Sequence, residues 1–281
     1  MKPPADNVDY TFDDWLRGYV RTVPVEVRAA DRPATSGKHY SASIVYHKKL
    51  AVEILGPARG DRIVDLGCAT GAITVYCAML GADCVGVDLS LKALKVCAEY
   101  FERNKPGDRS HASLAMADAG VLPFPDNSFD KAVSCDLYEH LDPQTKLRVL
   151  KEARRVLRPG GFLVLKTPNL AYLHLSLAFK RLRAISRLEN PFKLVVPHTP
   201  AADGAAAEHI GLATPFGIER DLRDAGFFDY QFHYGLSTKL RGLPQGLNRL
   251  LHRETPVLRD LMVEEVIVKA TKSHLVELIP D

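Results

Sequence analysis

Val64-Asp-Leu-Gly-Cys-Ala-Thr-Gly-Ala-Ile73 is the stretch on which the reading of this chain turns. Arg62 to Leu66 is a short apolar run of the kind that forms a buried strand, and the glycines after it break the run. Gly67 and Gly71 permit a tight turn and a close approach of main chain to a ligand. The apolar residues that follow, to about Leu80, read as a helix whose first N–H groups suit an anion. Asp88 stands 21 positions after Gly67, just past a second strand at Cys84–Val87, where a carboxylate can hold ribose hydroxyls. A nicotinamide site wants glycine at positions 67, 69 and 72, so that pyrophosphate can lie against the backbone. Ala69 and Ala72 therefore disfavour that ligand.

Outward from this turn the pattern alternates. Leu91 to Asn104 reads as a helix, Ser113 to Ala117 as a strand and Lys131 to Cys135 as another. Pro143 to Leu157 is an amphipathic helix stopped by Arg158-Pro-Gly-Gly161, and Phe162 to Leu165 is a further buried strand. Strands alternating with helices imply right-handed crossovers and a doubly wound α/β sheet, whose ligands lie beyond the C-terminal strand ends. Upstream, Ser41 to Leu55 has apolar residues at helical spacing and stops at Gly56-Pro57. Residues 1–35 read as an N-terminal arm; Tyr10, Trp15, Tyr19 and Tyr40 are either core or an aromatic lid. Downstream, Leu170 to Leu188 is an extra helix, apolar first and basic later, followed by a Pro/Ala-rich loop. Pro215 to Ala225 is a helix stopped by Gly226, and Phe227–Tyr234 and Val263–Ala270 close the pattern as strands. The expected organisation is an arm at 1–35 and one domain at 36–281, with a substrate-shaping insertion at about 170–212.

Bulk composition agrees. With 281 residues, 46% of them hydrophobic and 25% charged, the chain can bury a real core. A net charge of +3 is too small to imply nucleic-acid binding, and none is expected. The five cysteines, Cys68, Cys77, Cys84, Cys97 and Cys135, sit in apolar runs without CxxC spacing, as reduced thiols do in a cytoplasmic protein. No His/Cys/carboxylate group has ligand spacing along the chain, so no metal is called for. The opening residues lack an apolar core, and no run of 18 uncharged apolar residues occurs, so neither a signal peptide nor a spanning helix is expected.

At this point a resemblance is evident. Asp65-Leu-Gly-Cys-Ala-Thr-Gly71 resembles the first motif of the class I methyltransferases that use S-adenosylmethionine (SAM), with Ala69 where the family most often has glycine. Gly86-Val-Asp-Leu-Ser90 is similar to the family's ribose-binding loop, and Ala117-Asp118-Ala119 to its adenine-side loop. Leu150 to Gly161 resembles the helix and turn before the fifth strand, and His209-Ile-Gly-Leu-Ala-Thr-Pro-Phe216 a later patch of small-molecule members. The resemblance implies a seven-stranded, mostly parallel Rossmann-like sheet with a helical insertion after the fifth strand. It also implies a donor site residue by residue. Gly67 and Gly71 would let the methionine moiety pack against the first turn, Asp65 would orient its amino group directly or through water, Asp88 would hold the ribose and Asp118 the adenine, with Cys68, Leu89 and Ala119 also at the donor site. Cys135, at the end of the fourth strand of the motif set, would lie near the sulfonium. Each aspartate has a second reading as a turn or helix cap.

The acceptor side rests on two histidines. Alignment of nucleophile and methyl group is the main requirement, and a base is needed where a proton must leave. His140, in Tyr138-Glu-His140, is a candidate base or substrate ligand; the other reading has Glu139 and His140 starting or capping a helix. His209 is the second candidate. The basic end of Leu170–Leu188 suits the helix dipole, and membrane contact is not expected. The function expected is methylation of a small, partly apolar acceptor of natural-product or quinone-like type. An RNA or protein methyltransferase, and a SAM-binding partner without transferase activity, are the alternatives. A homodimer is left open.

Overall fold

Alternation of apolar side chains along the strands builds a sheet with two buried faces. The computed structural model describes residues 22–24, 43–45, 48–104, 112–194, 209–234 and 263–273. Seven strands form the main sheet: β3 (Arg62–Leu66), β4 (Asp83–Asp88), β5 (Ala112–Met116), β6 (Phe129–Cys135), β7 (Leu157–Pro168), β8 (Asp229–Tyr234) and β9 (Glu265–Thr271). Val64 and Leu66 of β3 point to one face with Leu163 and Leu165 of β7 and Val266 and Val268 of β9. Ile63, Val133, Val164 and Ile267 point to the other. That alternation is the period-2 signature of pleated strands covered on both sides.

The order across the sheet is β5-β4-β3-β6-β7-β9-β8. Neighbours from β5 to β7 pair in parallel, whereas β9 runs antiparallel to both β7 and β8. The expected seven-stranded, mostly parallel α/β sheet is therefore what forms. Helices α1 (Lys49–Leu55) and α2 (Ala72–Met79) cover one face through Val52, Leu55, Ile73 and Tyr76. Helices α4 (Pro143–Val156) and α6 (Pro215–Asp224) cover the other through Leu150, Ala153, Ile218 and Leu222. Burying one such leucine or isoleucine contributes about 1.5–3 kcal/mol. Between α2 and α4 in sequence, α3 (Leu91–Asn104) joins β4 to β5. Helix starts follow the side chains: Asp142 accepts from the Gln144 and Thr145 amides ahead of Pro143, and Thr214 accepts from Gly217 ahead of Pro215.

Two sequence expectations need correction. The helix expected over Ser41–Leu55 begins only at Lys49; Ser43–Val45 is instead a short strand, β2, paired antiparallel with β1 (Thr22–Pro24). Ile44 and Val45 are β-branched and favour extended backbone once a partner strand is present. The helix stops before Arg158-Pro-Gly-Gly161 as expected, but the strand expected over Phe162–Leu165 is longer: β7 starts at Leu157, and its pairing with β6 shifts register between Phe129 and Lys131. Gly161 lets the chain pass there, since a Cβ would lie 2.7 Å from the Asp130 carbonyl oxygen.

The insertion helix is present as α5 (Leu170–Ser186), opened by Asn169, which accepts from Ala171. No helix among the described residues is long and apolar enough to cross a membrane. The aromatics Tyr10, Trp15, Tyr19 and Tyr40 lie outside the described residues, as does most of the 1–35 arm.

Candidate active site

The C-terminal ends of β3, β4, β5 and β6 converge, and the first glycine turn is held there by β4. Gly67 and Cys68 both donate to the Val87 carbonyl, at 2.8 and 3.0 Å, and Gly71 donates to Cys68 at 2.8 Å. Gly67, Ala69 and Gly71 all take left-handed backbone, with φ of 70°, 46° and 81°. Ala69 is the unusual member, because a Cβ disfavours that region. Its amide donates to Asp88 Oδ2 at 2.8 Å, while Asp88 Oδ1 accepts from Ser90 at 2.8 Å. One carboxylate thus ties the first turn to the loop after β4. The turn-capping reading of Asp88 is thus what its two hydrogen bonds show.

Next to it, Ala117 donates to the Asp88 carbonyl at 3.2 Å, bringing the β5 loop alongside. Asp118 accepts from the Gly120 amide at 2.8 Å, the turn expected of an aspartate there, with half-buried Ala119 inside that turn. Leu89, Met116 and Val121 expose 58%, 62% and 68% of their surface around these loops. Large apolar side chains left open at converging strand ends fit a flat, partly apolar ligand such as an adenine nucleoside. Asp65 is placed differently: it lies 3% exposed beneath the turn and accepts from the Thr74 hydroxyl at 2.7 Å. Burial pushes its carboxyl up, opposed by the Thr74 bond and by Lys48. Cys68 is buried by the turn, and contact with Cys97 together with burial pushes its thiol up. Cys135 is buried at the end of β6, where burial holds its thiol neutral.

After Cys135 the backbone turns sharply. Asp136 has φ of 64°, donates its amide to the Lys166 carbonyl at 3.1 Å and accepts from Lys166 Nζ at 2.6 Å. Lys166 is 1% exposed and also pairs with Glu265 at 2.8 Å. Burial opposes its charge, but the Asp136 and Glu265 carboxylates outweigh it and hold the amine protonated. Sequence reasoning missed this lysine; its signal was a cation ending the apolar run Phe162–Leu165.

Tyr138–His140 then forms a single 3₁₀ turn, and helix α4 after it is capped by Asp142. Of the other readings of Glu139 and His140, the cap belongs to Asp142, while both residues lie in the 3₁₀ turn that precedes α4. Glu139 is 2% exposed and accepts from Thr167 Oγ1 at 3.0 Å; burial, then the nearby Asp136, pushes its carboxyl up. Tyr138 donates its hydroxyl to Asp221, and Lys146 lies over its ring at 4.0 Å while donating to the Gly211 carbonyl. The two histidines, 69 positions apart, meet: the rings of His140 and His209 stand edge to face with centroids 4.8 Å apart. Burial, then the neighbouring His140, lowers the affinity of His209 for a proton. No ligand spacing along the chain announced it, yet Glu139, His140 and His209 offer donor atoms all within 4.8 Å of one another.

A parallel sheet extended past β7 by the antiparallel β9 and then β8, with a glycine turn and an acidic residue at adjoining strand ends, is an α/β fold of the Rossmann-like type. Residues 64–165 match the family model described as a methyltransferase domain. The O-methyltransferase cnsE of Penicillium expansum is 37% identical over 113 residues, which are 40% of this chain and 39% of that protein. A demethylmenaquinone methyltransferase of Renibacterium salmoninarum is 36% identical over 118 residues, 42% of this chain and 45% of that one. The chain thus spans less than half the length of either relative. Among solved structures, a SAM-dependent methyltransferase from Methanosarcina mazei superposes with a TM-score of 0.53 at 23% identity, covering 77% of this chain and 94% of that one.

Proposed function

We propose that this chain transfers a methyl group from SAM to a small, partly apolar organic acceptor. The observation that carries the reading is the Asp88 carboxylate, which joins the glycine turn to the β4 loop beside exposed Leu89 and Met116. Gly67, Cys68 and Gly71 would hold the donor's methionine end, Asp88 and Leu89 its ribose, and Asp118 and Ala119 its adenine. When bound, the donor supplies an electrophilic methyl group on a sulfonium. Asp65, whose Oδ2 accepts from Thr74 of α2 beneath the turn, would orient the donor's amino group directly or through water.

His140 and His209 stand on the acceptor side, beyond the end of β6, where a proton leaving the acceptor could be received. The names of the relatives, an O-methyltransferase and a demethylmenaquinone methyltransferase, support acceptors of natural-product or quinone type. The reading is tested by calorimetric titration with SAM and with its demethylated product, S-adenosylhomocysteine, on wild type and Asp88→Ala. Micromolar binding that the variant loses supports it, and acceptors can then be screened by product mass. Absence of binding to folded wild type removes the central claim.

A further inference from the structure

We propose that Glu139, His140 and His209 form a binding site for a divalent transition-metal ion of the zinc type. Two imidazoles and one carboxylate are a donor set suited to such ions, which leaves coordination positions for water or a ligand oxygen. Metal–ligand bonds of ~2.0–2.2 Å put the ligand atoms of a tetrahedral site about 3.4 Å apart. Here the three donor atoms already lie within 4.8 Å of one another, so no pair need close by more than about 1.4 Å to reach that spacing.

The surroundings hold this geometry from three sides. Thr167 on β7 donates to Glu139 Oε2 at 3.0 Å, the kind of outer bond that orients a ligating carboxylate. Gly211 donates its amide to the Glu139 carbonyl at 2.8 Å, fixing the loop of His209 to the turn of His140. Nothing larger than glycine fits there, because a Cβ on Gly211 would lie 2.1 Å from the Leu141 carbonyl oxygen. The close approach of the two chain segments is therefore built into the backbone. Glu139 is 2% exposed, so its carboxyl is positioned by Thr167 and the surrounding chain rather than by solvent.

Resting on the methyltransferase reading above, the ion's role would be to position an acceptor hydroxyl and lower its pKa, its proton passing to water. The histidines would then act through the ion, and the favoured acceptors would carry oxygen at the methylated position.

The test is binding, independent of turnover. The full chain is stripped with chelator, desalted, and titrated with Zn²⁺ by calorimetry and with Co²⁺ by visible absorption. One-to-one binding with a Co²⁺ ligand-field band is expected, weakened at least about tenfold in His209→Ala and in His140→Ala. Glu139→Gln is a third variant, checked for folding by circular dichroism. S-adenosylhomocysteine binding by His209→Ala should stay near wild type, so donor binding and metal binding can fail separately. The proposal is overturned if folded wild type binds neither ion, or if the His140→Ala/His209→Ala double variant binds them as wild type does.

Discussion

Substituting Gly71 by alanine tests whether the first turn is held by backbone geometry and by α3 at once. Gly71 has φ of 81°, and a Cβ built on it falls 2.0 Å from Cys97 Sγ and 3.2 Å from Cys97 Cβ. Cys97 is fully buried, so its sulfur has no open space to enter. Alanine in left-handed backbone costs about 1–2 kcal/mol. Forcing a methyl group into a filled site costs about 1–3 kcal/mol. Together, Gly71→Ala should destabilise the protein by about 2–5 kcal/mol, read from urea denaturation followed by circular dichroism at unchanged slope. Cys97→Ala alone removes one buried atom and should cost about 1 kcal/mol. In the double variant the sulfur clash is gone while the backbone cost stays, so the losses should fall short of additive by about 1–3 kcal/mol. A Gly71→Ala protein within about 0.5 kcal/mol of wild type, or strictly additive losses, would refute this account.

Other outcomes follow from the same contacts. Lys166→Met strands the Asp136 and Glu265 carboxylates; since both are partly exposed, the loss should be near the lower end for a broken buried pair, about 3 kcal/mol, by the same denaturation. Tyr138→Phe deletes the donor to Asp221 and should cost about 1–2 kcal/mol, with the far-ultraviolet spectrum unchanged. Asp65 has its carboxyl raised, by burial above all, from the ordinary 3.8, so its contribution to stability is fully present below 3.8 and lost as pH rises through the raised value. Asp65→Asn mimics the protonated group and keeps an oxygen for Thr74. Its stability relative to wild type should grow as pH is raised from about 4 to 7, and an advantage that shrank over that range would contradict the burial argument.

The parts of the fold legible in the sequence are those written in neighbouring residues. The strand, glycine turn and helix over 62–79, and Asp88 at the next strand end, are local patterns, and they formed within a residue or two of expectation. What escaped depends on segments far apart in the chain. β2 extends only because β1 lies beside it, and an isolated Ile44-Val45 carries no mark of that partner. The insertion of β9 between β7 and β8 is likewise a choice among edges that period-2 patterning leaves open. The site divides the same way. Asp88 was marked by its spacing and Asp118 only by a resemblance, whereas Lys166 became significant only when β6 and β9 set carboxylates on either side of it. Glu139, His140 and His209 come together because Gly211 bonds the later loop to the Tyr138–His140 turn, a contact no spacing rule encodes.

Asp136 links the two halves of the site. Its left-handed backbone, at φ of 64°, aims the chain leaving β6, and Leu137 just after it packs where a Cβ on Gly67 would come within 3.0 Å. The Gly67 turn and the Asp136 turn are thus one packed unit, and Lys166 on β7 holds it through both the backbone and the carboxylate of Asp136. Two contributions can be separated by choice of substitution. Asn tolerates left-handed backbone, so Asp136→Asn removes the charge and leaves the turn affordable. Val is β-branched and strongly disfavoured there, so Asp136→Val loses the charge and also strains or redirects the turn. Asp136→Val should therefore be the less stable of the two by about 1–2 kcal/mol and should weaken S-adenosylhomocysteine binding as well, because a redirected Leu137 no longer supports Gly67. Equal stability and equal binding in the two variants would mean that the ion pair alone fixes this corner and that the backbone of Asp136 contributes nothing.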